Sequence, residues 1–145
     1  MITTVGQMLE GKGSDVWSVG PEATVFEALR LMADRNVGAV LVRSGEQLVG
    51  ILSERDYARK VALLGKASKD TPVRDVMSSK VYFVRPDQTA SDCMATMTEK
   101  RIRHLPAMHE GKLVGMISIG DVVRAILAEQ QFTIQQLETY INSGG

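Results

Sequence analysis

The sequence predicts a mixed α+β fold in which one βαββα unit occurs twice, followed by a C-terminal helix. The evidence is an internal repeat: moving the chain by 65 positions places residues 81–86 (VYFVRP) on residues 16–21 (VWSVGP). A repeat at one fixed offset is the signature of a duplicated structural unit. Without a gap, the same offset matches Thr24/Thr89, Met32/Met97, Leu48/Leu113, Val49/Val114, Gly50/Gly115, Ser53/Ser118, Asp56/Asp121 and Arg59/Arg124.

In the first copy, local residue patterns predict each helix and strand. Residues 16–19 form a short apolar run typical of a strand, and Thr24 to Glu27 fit a capping box that opens a helix with apolar residues at helical spacing. The β-branched and aliphatic runs 37–42 and 48–52 flank a polar turn, which predicts a hairpin. A second helix is expected from Ser53 to Gly65, a suitable C-cap.

The second copy repeats this order, with a cap at Thr89 to Asp92 and a hairpin of residues 102–108 and 113–117. Because a unit of about 60 residues has little core of its own, we expect the copies to pack about a pseudo-two-fold axis. The tail from Phe132 to Ile141 has apolar residues on one side, which predicts a helix that covers the core or forms a dimer seam. The expected boundaries are 4–65 for repeat one, 66–72 for a linker, 73–130 for repeat two and 131–145 for the tail.

Composition narrows the function classes. The chain has 145 residues, 17 basic and 17 acidic side chains, and no net charge, which argues against a dedicated nucleic-acid binder. No apolar run approaches the length of a membrane-spanning helix, and the N-terminus lacks the layout of a secretory signal. The single cysteine, Cys93, cannot form an internal disulfide. Together with only two histidines, His104 and His109, it makes a poor set of metal ligands. We therefore expect a cytoplasmic protein.

Three motifs resemble catalytic or reactive sites but lack essential parts. Gly6 to Gly13 is close to a P-loop, yet it has no Ser or Thr for Mg²⁺ and no preceding strand. Ser118, His104 and Asp121 could form a triad, but no nucleophile-elbow pattern surrounds the serine. Cys93 falls on the apolar face of a predicted helix, which favours a buried core thiol over a reactive one.

The duplicated heptapeptides Gly50–Asp56 and Gly115–Asp121 are the strongest functional candidates. Both have the form Gly-apolar-apolar-Ser-x-x-Asp, and both end a predicted strand and open a helix. One interpretation is a capping box alone. The other is a ligand site, since a helix N-terminus suits a phosphate and an aspartate can accept hydrogen bonds from two ribose hydroxyls. The two uses are compatible.

The segment before each hairpin differs between the copies. In copy two, Arg101–Pro106 places three potentially cationic groups on a short apolar strand, and such charges favour an anionic partner. Its proline suggests an edge or a bulge with free backbone groups, although a solvated strand edge is the alternative. Copy one has the small, uncharged residues Asn36–Val40 here, and its cations lie at Arg55 and Arg59-Lys60. The two sites are therefore expected to differ, and a phosphate fits copy two better.

These motifs closely resemble the CBS-domain pair, or Bateman module, over about residues 4–130. The marks are the two Gly-x-x-Ser-x-x-Asp ends, the Arg-His-Leu-Pro strand (Arg103 to Pro106) and the Val-x-Pro-x-x-Thr openings (Val19 to Thr24 and Val84 to Thr89). The resemblance implies two βαββα repeats with ligand clefts between them, and dimers formed by CBS–CBS packing. It also implies binding of adenosine compounds such as AMP, ADP, ATP, NAD or S-adenosylmethionine.

The resemblance also implies roles for individual residues. Asp56 and Asp121 would hold ribose, while Ser53 and Ser118 would meet ribose or phosphate. Arg103 and His104, in the strand that continues to Pro106, would contact phosphate, and copy one offers only Arg55 as a substitute. The residues expected to flank adenine are Ser18, Val19, Val37, Phe83, Val84 and Ile102.

The function expected from these features is a non-catalytic regulatory module that binds an adenine nucleotide, with AMP first and NAD(H), ATP or ADP as further possibilities. Such a module would sense cellular energy or redox state and act through an effector protein. The alternative is a CBS dimer that serves as a ligand-independent scaffold for a protein partner. An enzyme is disfavoured because the sequence shows no paired acid and base, metal cluster or activated nucleophile.

Overall fold

The computed structural model describes residues 1–144, which form two compact units. The first unit is Val16–Val81, and the second unit joins Met1–Asp15 to the chain from Tyr82 onward. The fold is a mixture of helices and small sheets, as the sequence predicts. In chain order the elements are α1 (Val5–Lys12), β1 (Ser18–Val19), α2 (Val25–Arg35), β2 (Ala39–Ser44), β3 (Gln47–Ser53), α3 (Glu54–Tyr57), a π-helical turn (Ala58–Ala62), a 3₁₀ turn (Val73–Asp75), α4 (Ala90–Lys100), β4 (His104–His109), β5 (Lys112–Ser118) and α5 (Ile119–Gly144).

Equivalent helices in the two units begin at a capping threonine and end at a left-handed residue. The Thr24 hydroxyl accepts a hydrogen bond from the N–H of Glu27 at the start of α2, which is one half of the predicted capping box, whereas Thr89 with Asp92 forms the full reciprocal box at the start of α4. Both helices end at a left-handed residue, Asn36 with φ of 53° and Arg101 with φ of 56°. Local sequence therefore sets both helix boundaries.

Each unit contains a predicted antiparallel hairpin, β2–β3 in the first and β4–β5 in the second. In the first unit, β1 adds a parallel strand beside β2, and Ile51 forms a bridge with Ser78. In the second unit, the opening strand shrinks to a single parallel bridge between Val84 and Ala107. Each sheet packs against its helices through buried aliphatic side chains.

A segment that lies outside the βαββα pattern completes each core. In the second unit, α1 contributes Val5, Met8 and Leu9 to the core. In the first unit, Val73 and Val76 play the same part. The residues just before these segments also accept backbone hydrogen bonds, because the N–H of Val25 donates to the carbonyl of Thr71 and that of Ala90 donates to the carbonyl of Thr3.

Close packing of these segments explains the glycine in each heptapeptide. A Cβ at Gly115 would lie 2.5 Å from Leu9 Cδ2, and a Cβ at Gly50 would lie 2.5 Å from Met77 Sδ. A contact below 3.0 Å requires a neighbouring atom to move, so only glycine fits this packing without adjustment. Sequence pattern alone does not reveal this reason for the glycines.

Two regions of the structure differ from the elements that the sequence predicts. Residues 66–72, expected to be a linker, lie against α2, where the N–H of Val25 donates to Thr71 and that of Phe26 donates to Ser68. The helix expected from Ser53 to Gly65 is instead the short α3 followed by a π-helical turn, and it ends before Gly65, which has a φ of 68°.

Helix α5 runs for 26 residues, so it joins the second helix of repeat two to the predicted tail helix. Residues 130–144 are exposed throughout. Phe132, Leu137 and Ile141 therefore do not cover the core of their unit, which removes one of the two interpretations of the tail. Among the described helices, including this long one, none combines the length and hydropathy needed to cross a membrane.

Candidate functional site

Each heptapeptide ends in a serine and an aspartate that bond to one another across the first helical turn. In the second unit, the N–H of Ser118 donates to Asp121 Oδ2 at 2.8 Å, and the N–H of Asp121 donates to the Ser118 hydroxyl at 3.3 Å. In the first unit, Ser53 and Asp56 make the same pair of bonds at 3.0 and 3.1 Å. The capping interpretation is thus confirmed in both copies.

The start of α5 is already supplied with hydrogen-bond acceptors. The N–H of Ile119 donates to the carbonyl of Arg103 at 2.9 Å, and that of Asp121 donates to Ser118. In the first unit, the N–H of Glu54 likewise donates to the carbonyl of Gly38. The expectation that these backbone groups are free for an anion is wrong, because the preceding segment and the capping serine occupy them. Cationic side chains beside the cap can also attract phosphate.

Two cations hold the carboxylate of Asp121. Lys12 Nζ lies 2.6 Å from Oδ2, and an Arg124 guanidinium nitrogen lies 2.7 Å from Oδ1. The Asp121 side chain is only 6% exposed. Burial would raise the pKa of Asp121, but hydrogen bonds from Lys12 and Ser118 and the Lys12 charge outweigh it, so this pKa lies below its usual value. Asp121 is therefore ionised at neutral pH.

His104 lies beside this cluster, opposite Ser118 in the β4–β5 register. Burial lowers the pKa of His104, and the positive charges of Lys12 and Arg103 lower it further, against an opposing effect of Asp121. The imidazole is therefore neutral at neutral pH. The sequence-based count of three cations on this strand is too high, and His104 can offer a ligand a hydrogen bond rather than a charge.

Asp56 in the first unit has a different set of partners. Its Oδ2 accepts from the Ser53 hydroxyl at 3.1 Å, and its Oδ1 lies 3.3 Å from Lys60 Nζ and 3.4 Å from the Ser78 hydroxyl. Here hydroxyl groups and one longer ion pair replace the two short ion pairs of Asp121. The expected difference between the two ends is therefore present in the arrangement of charge.

Sequence reasoning missed two cations at Asp121. Lys12 lies in the segment dismissed as an incomplete P-loop, 109 positions from its partner, and no local pattern predicts that contact. Arg124 follows Asp121 by three residues on a helix, a spacing that brings side chains together, so it could have been found.

The residues expected to flank adenine differ in exposure. Ser18 and Val19 form β1, paired with β2, and both are half-buried. Phe83 is 59% exposed, whereas Val84 is 1% exposed and belongs to the core. The Val84 side chain is therefore not available to flank adenine, because it points into the core beside the backbone bridge to Ala107.

The remaining predicted site residues are also placed. Val37 and Ile102 are half-buried, each packed against the core of its unit, while Arg55 and Arg103 are exposed. Pro106 is buried next to a β-bulge, as expected, but its carbonyl accepts from the N–H of Val84 at 2.9 Å. The free backbone expected there is therefore absent, because the opening strand uses it.

The single cysteine, Cys93, belongs to the core of the second unit. Cys93 is fully buried, and desolvation raises its pKa to about 11, which confirms a core thiol.

A pocket of about 290 Å³ in the first unit is lined by the C-terminal half of α2, by Val37 and Gly38, and by Glu54. It reaches one of the residues expected at adenine, Val37.

Comparison with known proteins assigns the family. The model for the CBS domain matches residues 13–63 and 73–128. A relative from Arabidopsis thaliana, the mitochondrial CBS domain-containing protein CBSX3, is 40% identical over 98% of this chain and 73% of its own length.

Solved structures agree. One is a protein with CBS domains from Burkholderia ambifaria MC40-6 that is provisionally described as a signal-transduction protein. It is 48% identical to this chain with a TM-score of 0.85, and the match covers 91% of this chain and 99% of the other. A CBS-domain containing protein from Agrobacterium tumefaciens is 39% identical with a TM-score of 0.81, over 85% and 98%. With two family matches that fall within its two repeats, the chain belongs to the CBS-domain family and is a pair of CBS domains.

Proposed function

We propose that this protein is a non-catalytic sensor that binds an adenosine ligand at the Ser-x-x-Asp ends of its repeats. AMP is the first candidate, and NAD(H), ATP and ADP are the others. Binding would act by favouring the conformation to which the ligand binds more tightly, and an effector protein would respond to that change. We include a cytoplasmic location in the proposal, to be tested by cell fractionation, since one relative is named mitochondrial.

The observation that carries the proposal is the serine–aspartate pair that closes each repeat. A carboxylate beside a hydroxyl can accept hydrogen bonds from the two adjacent hydroxyls of a ribose. Asp121 is ionised in this position, and Lys12 and Arg124 lie beside it as potential partners for phosphate. A ligand that combines a diol with a negative charge therefore suits the chemistry of this cluster.

A thermal-shift panel tests the proposal. The purified protein is heated with AMP, ADP, ATP, NAD, NADH or S-adenosylmethionine. A ligand at about 100 times its Kd stabilises the folded state by about 2.7 kcal/mol per site. For a chain of this size we expect a rise in Tm of roughly 5–10 °C.

Asp56→Asn and Asp121→Asn are the matched variants. Asparagine keeps an oxygen that can accept from the serine N–H, so the helix cap survives, but it lacks the charge and the second acceptor oxygen. We expect the variant at an occupied site to lose the shift. A flat panel with the unmodified protein would refute adenosine binding.

The second candidate is a self-associated scaffold for a protein partner, favoured by the exposed apolar stripe on α5. Val123, Leu127, Ile134, Leu137 and Ile141 are all more than 40% exposed. They follow, with Gln130, an alternating spacing of four and three residues, which is the period of a coiled-coil seam. A second copy of the same helix is the simplest partner, in addition to the CBS–CBS packing expected from the family.

Light scattering during size-exclusion chromatography tests this candidate. We expect a homodimer, and we expect Ile134→Glu with Leu137→Glu to weaken it while leaving the far-UV circular dichroism of the two units unchanged. Gln136→Glu, on the same helix but outside the stripe, is the control. A monomer at all concentrations would remove the scaffold from consideration.

A further inference from the structure

The two aspartates differ in what a ligand must displace. At Asp121, a ribose would compete with Lys12 Nζ at 2.6 Å and with an Arg124 nitrogen at 2.7 Å, one on each carboxylate oxygen. At Asp56, it would compete with two serine hydroxyls and with Lys60 at 3.3 Å. Only the Asp121 end has both of its oxygens held by short ion pairs.

Displacing the cations from Asp121 leaves them without a counter-charge. Lys12 Nζ would keep only the Met116 carbonyl, now 2.9 Å away, and Arg124 would turn toward solvent. An uncharged nucleoside offers nothing in return. A phosphorylated ligand brings negative charge to the same cluster, so the displaced cations regain an ionic partner.

We propose that Lys12 and Arg124 make the Asp121 end selective for phosphorylated over unphosphorylated adenosine ligands. The inference rests on the proposed function and deepens it, because it assigns charge selectivity to residues outside the Ser-x-x-Asp motif. Asp56 has a single, longer ion pair, with Lys60 at 3.3 Å, so we expect a weaker demand for ligand charge there.

Isothermal titration calorimetry with adenosine and with AMP tests the inference. All proteins carry Asp56→Asn, so that only the Asp121 end is measured, and Asp56→Asn with Asp121→Asn serves as the blank. In this background we expect tighter binding of AMP than of adenosine. Lys12→Met should lower the AMP-to-adenosine affinity ratio about tenfold, the effect of one charge-assisted hydrogen bond.

Two further variants separate charge from fold. Lys12→Arg keeps the charge and should keep the ratio. Lys112→Met removes a lysine from the same unit at the opposite end of β5 and should also keep it. Circular dichroism of each variant establishes that the fold is intact.

The possible failures are distinguishable. If both compounds bind and Lys12→Met leaves their affinity ratio unchanged, the selectivity inference is overturned while the proposed function stands. If neither compound binds in the Asp56→Asn background, or if the blank binds as well as its parent, the proposed function is overturned at Asp121.

Discussion

Substitution of Gly115 by alanine tests whether α1 is packed against the second repeat as described. The new Cβ would lie 2.5 and 2.8 Å from the two methyl carbons of Leu9, which is only 8% exposed. Overpacking of this kind destabilises by about 1–3 kcal/mol. Replacing glycine by alanine without a clash stabilises by about 0.4–1 kcal/mol through the unfolded state. We therefore expect a net loss of about 1–2 kcal/mol.

The sign should reverse when the opposing side chain is removed. Leu9→Ala by itself should cost about 2–5 kcal/mol, because it leaves a cavity in the core. In that background the Gly115→Ala methyl meets empty space, so the substitution should stabilise by about 0.4–1 kcal/mol. The two substitutions thus couple, as residues in contact do.

Urea unfolding followed by circular dichroism measures all four proteins of this double-mutant cycle. Gly20→Ala is the control, because a Cβ there meets nothing within 4 Å. Additive effects of Leu9→Ala and Gly115→Ala would refute the packing of α1 on β5. Fluorescence of Trp17, in the first unit, reports whether the damage stays within the second unit.

Three further predictions follow from the pKa shifts and burial. The pKa of Asp121 in the folded protein is below its usual value of 3.8, so its ionised form stabilises the fold above that pH and this contribution disappears as the pH falls through the lower folded pKa. The difference in unfolding free energy between the unmodified protein and Asp121→Asn should accordingly be larger at pH 7 than at pH 2.5, and an equal difference would contradict the ion pairs. Lys12→Met should raise the pKa of His104, measured by NMR titration of the imidazole protons, and an unchanged pKa would show that Lys12 lies elsewhere. Cys93, buried and with its pKa raised to about 11, should resist a thiol reagent at pH 8 until urea unfolds the protein, whereas rapid labelling of the native protein would place it at the surface.

The sequence predicts the repeated elements well because their determinants are local. A capping threonine and its partner are three residues apart, and the hairpins are continuous apolar runs. Helix α1 is not predicted, although Val5, Met8 and Leu9 have helical spacing, because the segment is short and contains two glycines, which disfavour a helix. Its packing against β5 involves residues about a hundred positions apart, which no local pattern records.

In the candidate site, too, contacts between residues close in sequence were predictable and contacts made by the tertiary fold were not. The bonds between Ser118 and Asp121 follow from their spacing, and so does the approach of Arg124 along the helix. Lys12 reaches Asp121 only through the tertiary fold, and the burial that keeps His104 neutral is a property of that fold as well. The aspartates were therefore predictable, whereas the charge around them was not.

The discontinuity of the second unit has a consequence for the folding pathway. The first unit is one continuous stretch, but the second unit forms only when α1 meets the chain from Tyr82 onward, which closes a loop that contains the whole first unit. Closure of a long, flexible loop carries an entropic cost that a folded insert reduces, because it shortens the disordered chain to be closed. We therefore expect Trp17 fluorescence to recover before α1 docks during refolding, so that the continuous unit folds ahead of the discontinuous one.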